Sequence, residues 1–167
     1  MKKINLFFCY LIRISLIWLP DLPALMRFRG FLYGFFMGSK GRNLQVAASA
    51  NIRGACFLSV GNNVYIGPNA FILARHRVVL EDEVMLAMNT VVVDTNHKLS
   101  GCTYRSLHSQ SKPVVIGCGS WIAANSVVLP GAVIGRACLV AAVESVRGEL
   151  PDKSIFIGGK VVANDRK

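Results

Sequence analysis

From Val46 onward, aliphatic residues recur at every sixth position. Val46 and Ile52 open the series, and Val60, Ile66, Ile72 and Val78 follow. After a two-residue slip, Leu80, Leu86 and Val92 continue it. After a gap, Ile116, Ile122, Val128, Ile134, Val140 and Val146 keep one phase without a break. A small or turn-forming residue often comes next, as at Gly61, Gly67, Ala87, Gly117, Ala123, Gly135 and Ala141. Neither the period of a helix nor that of a strand generates this spacing. A short strand and a corner, repeated three times, do. They close a triangular coil of about 18 residues with the aliphatic side chains pointing inward. Coils stacked at about 4.8 Å pair strand to strand with the next coil. The pattern predicts an all-β solenoid, a parallel β-helix of about five coils, over residues 44–167.

Two stretches depart from the repeat. Residues 1–37 carry Leu, Phe, Ile and Trp with Lys2, Lys3, Arg13, Arg27 and Arg29, and a single acid, Asp21. Pro20 and Pro23 divide them into two helical pieces. Gly38-Ser39-Lys40-Gly41 reads as a linker, so residues 1–43 form an N-terminal segment. The lysines and the apolar run resemble a signal peptide at first sight, but Arg13 splits the run and no small-residue cleavage site follows. The unbroken apolar pieces also fall short of the about 20 residues a membrane span needs. Residues 4–19 are expected to form a helix that either lies on a membrane or packs on the body of the protein. The second departure, residues 98–113, is polar. A loop of that length leaving a tight solenoid directly after His97 marks a place where function is expected.

Composition changes the picture in three ways. Hydrophobic residues make up 53% of the 167 and charged residues 17%, with 15 glycines, which suits thin, close-packed layers. The formal charge of +10 and the pI near 9.8 suit an anionic membrane surface, a phosphorylated ligand or nucleic acid. The basic residues are scattered and no nucleic-acid-binding signature occurs, so nucleic acid is not an expected partner. Cys9, Cys56, Cys102, Cys118 and Cys138 are odd in number and form no C-x-x-C pair. They read as free thiols of a reducing cytoplasm.

The segments Val91-Val-Val-Asp-Thr-Asn-His97 and Pro113-Val-Val-Ile-Gly-Cys-Gly-Ser-Trp-Ile-Ala-Ala-Asn-Ser-Val-Val-Leu-Pro-Gly-Ala-Val-Ile-Gly135, with the loop between them, resemble the hexapeptide-repeat acyltransferases. The likeness is to bacterial sugar and surface-polysaccharide O-acetyltransferases, and it covers about residues 44–157. It implies a left-handed parallel β-helix, a homotrimer with sites between subunits, acetyl-CoA as co-substrate, and a sugar or glycan hydroxyl as acceptor. The apolar, basic N-terminus fits an acceptor of surface polysaccharide assembly, with peripheral contact through residues 1–37 on the inner face of the cytoplasmic membrane.

Residue by residue, the resemblance makes His97 the general base. A lone histidine at a loop edge is otherwise more often structural or merely exposed, yet a neutral imidazole suits removal of a hydroxyl proton. Asp94 either accepts the other ring N–H and fixes the tautomer, or is an ordinary turn aspartate. The N–H of Ala124 is the candidate oxyanion donor. Trp121 either lines the acceptor channel or packs at a subunit rim. Ala142, Arg147 and Lys160 match positions that would meet coenzyme A. Departures from the family pattern lie at Ala123 and along residues 141–148 and 157–160. His76 is expected to be a corner residue and His108 an exposed one. These histidines lack the closely spaced pair of a zinc site, so no metal is expected. Two other readings stay open: acetyl transfer to an amino-sugar amine, serine or xenobiotic, and a non-catalytic β-helical scaffold.

Overall fold

The computed structural model describes residues 2–105 and 109–164. Parallel strands stack into three faces. The first runs from Ser39–Lys40 to Glu149–Leu150 and the second from Gln45–Val46 to Ser154–Ile157, with six parallel strands each. The third runs from Asn51–Arg53 to Ser145–Val146 with five. The solenoid thus has about six turns. It begins earlier than expected because Ser39–Lys40, read from sequence as a linker, already pairs with Leu58–Val60.

The aliphatic repeat is the core. Val46, Ile66, Leu86, Ile122 and Val140 line up along the second face and are fully buried. Stacked branched side chains fill the narrow interior, and each removes its apolar surface from water. The register explains the slip in the sequence. Val60 pairs with Leu80, so Leu80 takes up the repeat, while Val78 is buried beside Leu58 and Val114. The two surplus residues of the early coils lie at the edge between the third and first faces, where Ala55–Phe57 forms a 3-10 turn.

Two helices close the lower end. α1 (Lys2–Leu16) and α2 (Pro23–Gly34) pack on each other and on the first coil. Pro23 starts α2, where a missing N–H costs nothing. α2 lies against Gln45–Val46 so closely that a Cβ on Gly30 would stand 2.1 Å from the Leu44 carbonyl oxygen. Only glycine fits there.

Buried Arg29 of α2 fastens the helices to the solenoid. It donates to Asp21 Oδ1 at 2.8 Å, to the carbonyls of Val46 at 3.2 Å and Pro20 at 3.0 Å, and to that of Leu19. Asp21 in turn accepts the Ala48 N–H at 2.7 Å. The buried charge is therefore paired and hydrogen-bonded, the condition under which burial is tolerated. Residues 4–19 pack on the body through Cys9 and Ile12, while the opposite side of α1 stays exposed. Among the described residues, no helix is long and apolar enough to cross a membrane.

Candidate active site

The loop after the third coil is a hairpin at its base. Thr95–His97 runs antiparallel to Ser109–Ser111, with His97 opposite Ser109. It leaves the solenoid between Val91–Val93 of the third face and Val114–Ile116 of the first. His97 is exposed at the outer end of its strand, and its ring makes no hydrogen bond with any described residue. Residue 108 lies outside the described residues.

Asp94 has a different partner from the one expected. Its carboxylate is fully buried and turned into the solenoid, where it accepts the backbone N–H groups of Arg75 at 2.9 Å, His76 at 2.7 Å and Arg77 at 2.8 Å. Its own carbonyl accepts the Lys112 N–H at 2.8 Å, at the returning end of the hairpin. The aspartate therefore neither bonds the His97 ring nor sits in solvent. A carboxylate accepting three N–H groups fixes the corner beneath the hairpin, and hydrogen bonds to an ionised acceptor are the strong kind. His76 sits at that corner with its side chain exposed, and its backbone N–H is satisfied.

Trp121 stands on the outer side of the second face, 43% exposed, between Met85 and Leu139 of the flanking coils. Ala123 donates to the Val140 carbonyl at 2.9 Å, which leaves the next N–H, that of Ala124, directed outward with no acceptor among the described residues. Ala142, one coil further on, is exposed and has the same free N–H. The column to which both belong was hidden in the sequence. Ala48, Pro68, Met88, Ala124 and Ala142 each stand two places after an aliphatic residue of the second face. Asp21 caps the first of these N–H groups and proline removes the second, so the upper members are left unpaired.

Arg147 is exposed at the edge between the third and first faces, the same edge from which the hairpin leaves. Lys160 lies apart, on the final strand Lys160–Ala163, which folds back antiparallel on the second face. Glu144 holds that turn by accepting the N–H groups of Gly158 and, at 3.4 Å, Gly159.

Within one chain these groups form two borders of the third face. His97 and Arg147 stand on the border with the first face, and Ala124 and Ala142 on the border with the second. Among the described residues, no group of three His, Cys, Asp or Glu side chains is placed to hold a metal ion.

Residues 113–142 match the family model of the bacterial transferase hexapeptide (six repeats). The chain is 32% identical over 111 residues to a probable acetyltransferase of Mycobacterium tuberculosis, covering 64% of this chain and 37% of that protein. It is 26% identical over 119 residues to the galactoside O-acetyltransferase of Escherichia coli, covering 68% and 59%. A putative colanic acid biosynthesis acetyltransferase of Escherichia coli is 25% identical over 147 residues, covering 87% and 77%. The chain thus spans between about a third and three fifths of the first two relatives. Among solved structures, a maltose O-acetyltransferase from Clostridium difficile superposes with a TM-score of 0.83 at 20% identity, covering 99% of this chain and 88% of that one. A galactoside acetyltransferase in complex with coenzyme A gives 0.81 at 20% identity, covering 96% and 79%. At that identity the structural likeness shows the fold. The chain carries the hexapeptide repeat and resembles the acyltransferases built on it.

Proposed function

We propose, from this resemblance to the hexapeptide-repeat acyltransferases, that the protein transfers the acetyl group of acetyl-CoA to a hydroxyl of a sugar. The acceptor belongs to surface polysaccharide assembly: O-antigen, capsule or exopolysaccharide. The observation that supports this best is the exposed His97 on one border of the third face and the unpaired Ala124 and Ala142 N–H groups on the other. The names of the galactoside and colanic acid relatives point to the same acceptor class.

In this reading the protein is a homotrimer in the cytoplasm, peripheral to the membrane through residues 1–37, and each site lies where two subunits meet edge to edge. The neutral His97 imidazole removes the acceptor hydroxyl proton while the oxygen attacks the thioester carbonyl. The Ala124 N–H receives the oxyanion of the tetrahedral intermediate, a fixed dipole where charge develops. Collapse breaks the C–S bond, and the imidazolium returns its proton to the departing thiolate. Asp94 acts through the backbone, by holding the corner from which the hairpin rises. Ala142 and Arg147 border the coenzyme groove.

The test is a panel of acceptors with release of free thiol as the readout, run beside light scattering. The reading expects sugar hydroxyls to be acetylated by a stable trimer. Turnover confined to amino-sugar amines, serine or xenobiotics contradicts the acceptor assignment. A protein that binds no acetyl-CoA is a scaffold. An active monomer removes the shared site.

A further inference from the structure

The surface left bare by the two helices is unlike the rest of the molecule. Ile4, Phe7, Leu11, Ile14 and Trp18 follow one another at alternating spacings of three and four residues along and just beyond α1. All are exposed, from 41% for Leu11 to 88% for Trp18. Phe28, Phe31 and Phe35 form a second exposed row on α2 and at its C-terminal cap. A contiguous apolar surface of this kind marks an interaction site.

Charge says with what. The first 80 residues hold ten Lys and Arg against one acid, Asp21, and that acid is engaged by Arg29. Residues 81–167 hold nine basic residues against eight acidic ones. Almost the whole excess charge therefore sits on the helices and the first two coils. Between α1 and the first strand of the third face lies a cleft of about 380 Å³, lined by Phe7, Tyr10, Arg13, Tyr33 and Arg53 among others. Among the described residues, Arg13 Nε is buried there without a hydrogen-bond partner, and no carboxylate lines the cleft. An unpaired cation beside apolar walls fits the phosphate of an amphiphile. A second copy of this chain is a poor occupant, since it would bring like charges together with no acid to pair them.

We propose that the exposed face of α1 and α2 docks the protein on a bilayer of anionic phospholipid, with a lipid phosphate in the Arg13–Arg53 cleft. The apolar row enters the interface while the cations meet the headgroups, the two forces that hold peripheral helices. The Arg29 staple to Leu19 and Pro20 fixes the turn that presents Trp18. His97 follows the third coil strand of the third face, two coil spacings or about 10 Å above Asn51–Arg53. An acceptor carried on a lipid would come within reach of it. The docking deepens the peripheral contact of the proposed function, and only the consequence for the acceptor rests on the acetyl-transfer chemistry.

The experiment uses the full chain with Trp121→Phe, which leaves Trp18 as the one tryptophan. Vesicles of phosphatidylglycerol in phosphatidylcholine are expected to sediment the protein and blue-shift Trp18, in a salt-sensitive way, while pure phosphatidylcholine vesicles do much less. Arg53→Gln, at an exposed position, and Arg13→Gln should each raise the half-saturating lipid concentration about fivefold. Leu11→Ser with Ile14→Ser should abolish sedimentation with the fold intact by circular dichroism. Equal binding to both vesicle types, or no binding to either, overturns the proposal. So does a Trp18 already shielded in vesicle-free buffer, which would give the face to a second copy. Saturable binding of inorganic phosphate without vesicle binding overturns the bilayer as the source. Acetyl transfer to a soluble sugar by the chain with Trp121 intact, measured in parallel without vesicles, separates failure of docking from failure of the proposed chemistry.

Discussion

The Asp94 carboxylate accepts the backbone N–H of His76 at 2.7 Å, joining two residues eighteen positions apart and one coil apart. The same oxygen accepts the Arg77 N–H at 2.8 Å, and the hairpin bearing His97 begins at the very next residue. The corner of one coil is thereby locked to the base of the hairpin of the next.

Asp94→Asn tests this lock. The amide is nearly isosteric, but it loses the charge and turns an N–H₂ group towards N–H donors. A loss of about 2–3 kcal/mol in unfolding free energy is expected. Activity should fall less than for a change at His97, because the imidazole is displaced rather than removed. Denaturant melts and kinetics on the same preparation check both. Unchanged stability would mean the corner holds without the carboxylate.

The aliphatic repeat was legible because burial in a solenoid follows the inward phase: every member from Val46 to Val146 is at most 3% exposed. Ser39–Lys40 was not, because a two-residue strand with both side chains exposed carries no apolar signal. His97 could be picked out by its place before the loop. The partners of Asp94 could not, since they lie one coil back and only the stacking register brings them under it. The Ala124 N–H was singled out by the family resemblance alone, and its outward direction follows from the column formed by aligned coils.

Arg29 is buried with donors to three carbonyls and one carboxylate. Arg29→Met removes those donors and leaves Asp21 held by the Ala48 N–H alone. The carbonyls left without donors are expected to cost about 1–3 kcal/mol, read as a lower denaturation midpoint, with the helices loosened from the first coil. A midpoint equal to wild type would show that packing alone holds them.

Val143 occupies left-handed backbone at φ 67°, where its counterpart one coil below is Asn125 at φ 60°. A β-branched residue is strained there, and asparagine tolerates it. Asn89 already donates to Asn125 Oδ1 at 3.0 Å, so Val143→Asn would extend that ladder. Stabilisation by about 1 kcal/mol is expected, seen as a higher melting temperature. A decrease would show that Val143 contributes packing in the assembled protein.

Thiol accessibility follows burial. Cys9 is 2% exposed, and burial pushes its thiol up to about 11, with the nearby Cys56 adding to the rise. Cys9 stays protonated and shielded at pH 7–8. Cys56 and Cys102 are exposed. A chromogenic disulfide reagent should modify Cys56 and Cys102 quickly and reach Cys9 and Cys138 only on unfolding. Rapid native labelling of Cys9 would place α1 away from the first coil.

The most direct measurement is steady-state acetyl transfer by His97→Ala, with acetyl-CoA binding and assembly measured beside it. A drop in kcat of about 10²–10⁴-fold, with coenzyme affinity and oligomeric state unchanged and His76→Ala within a few-fold of wild type, is the expected result. A folded, assembled His97→Ala that retains most of its activity would contradict a general base at this position.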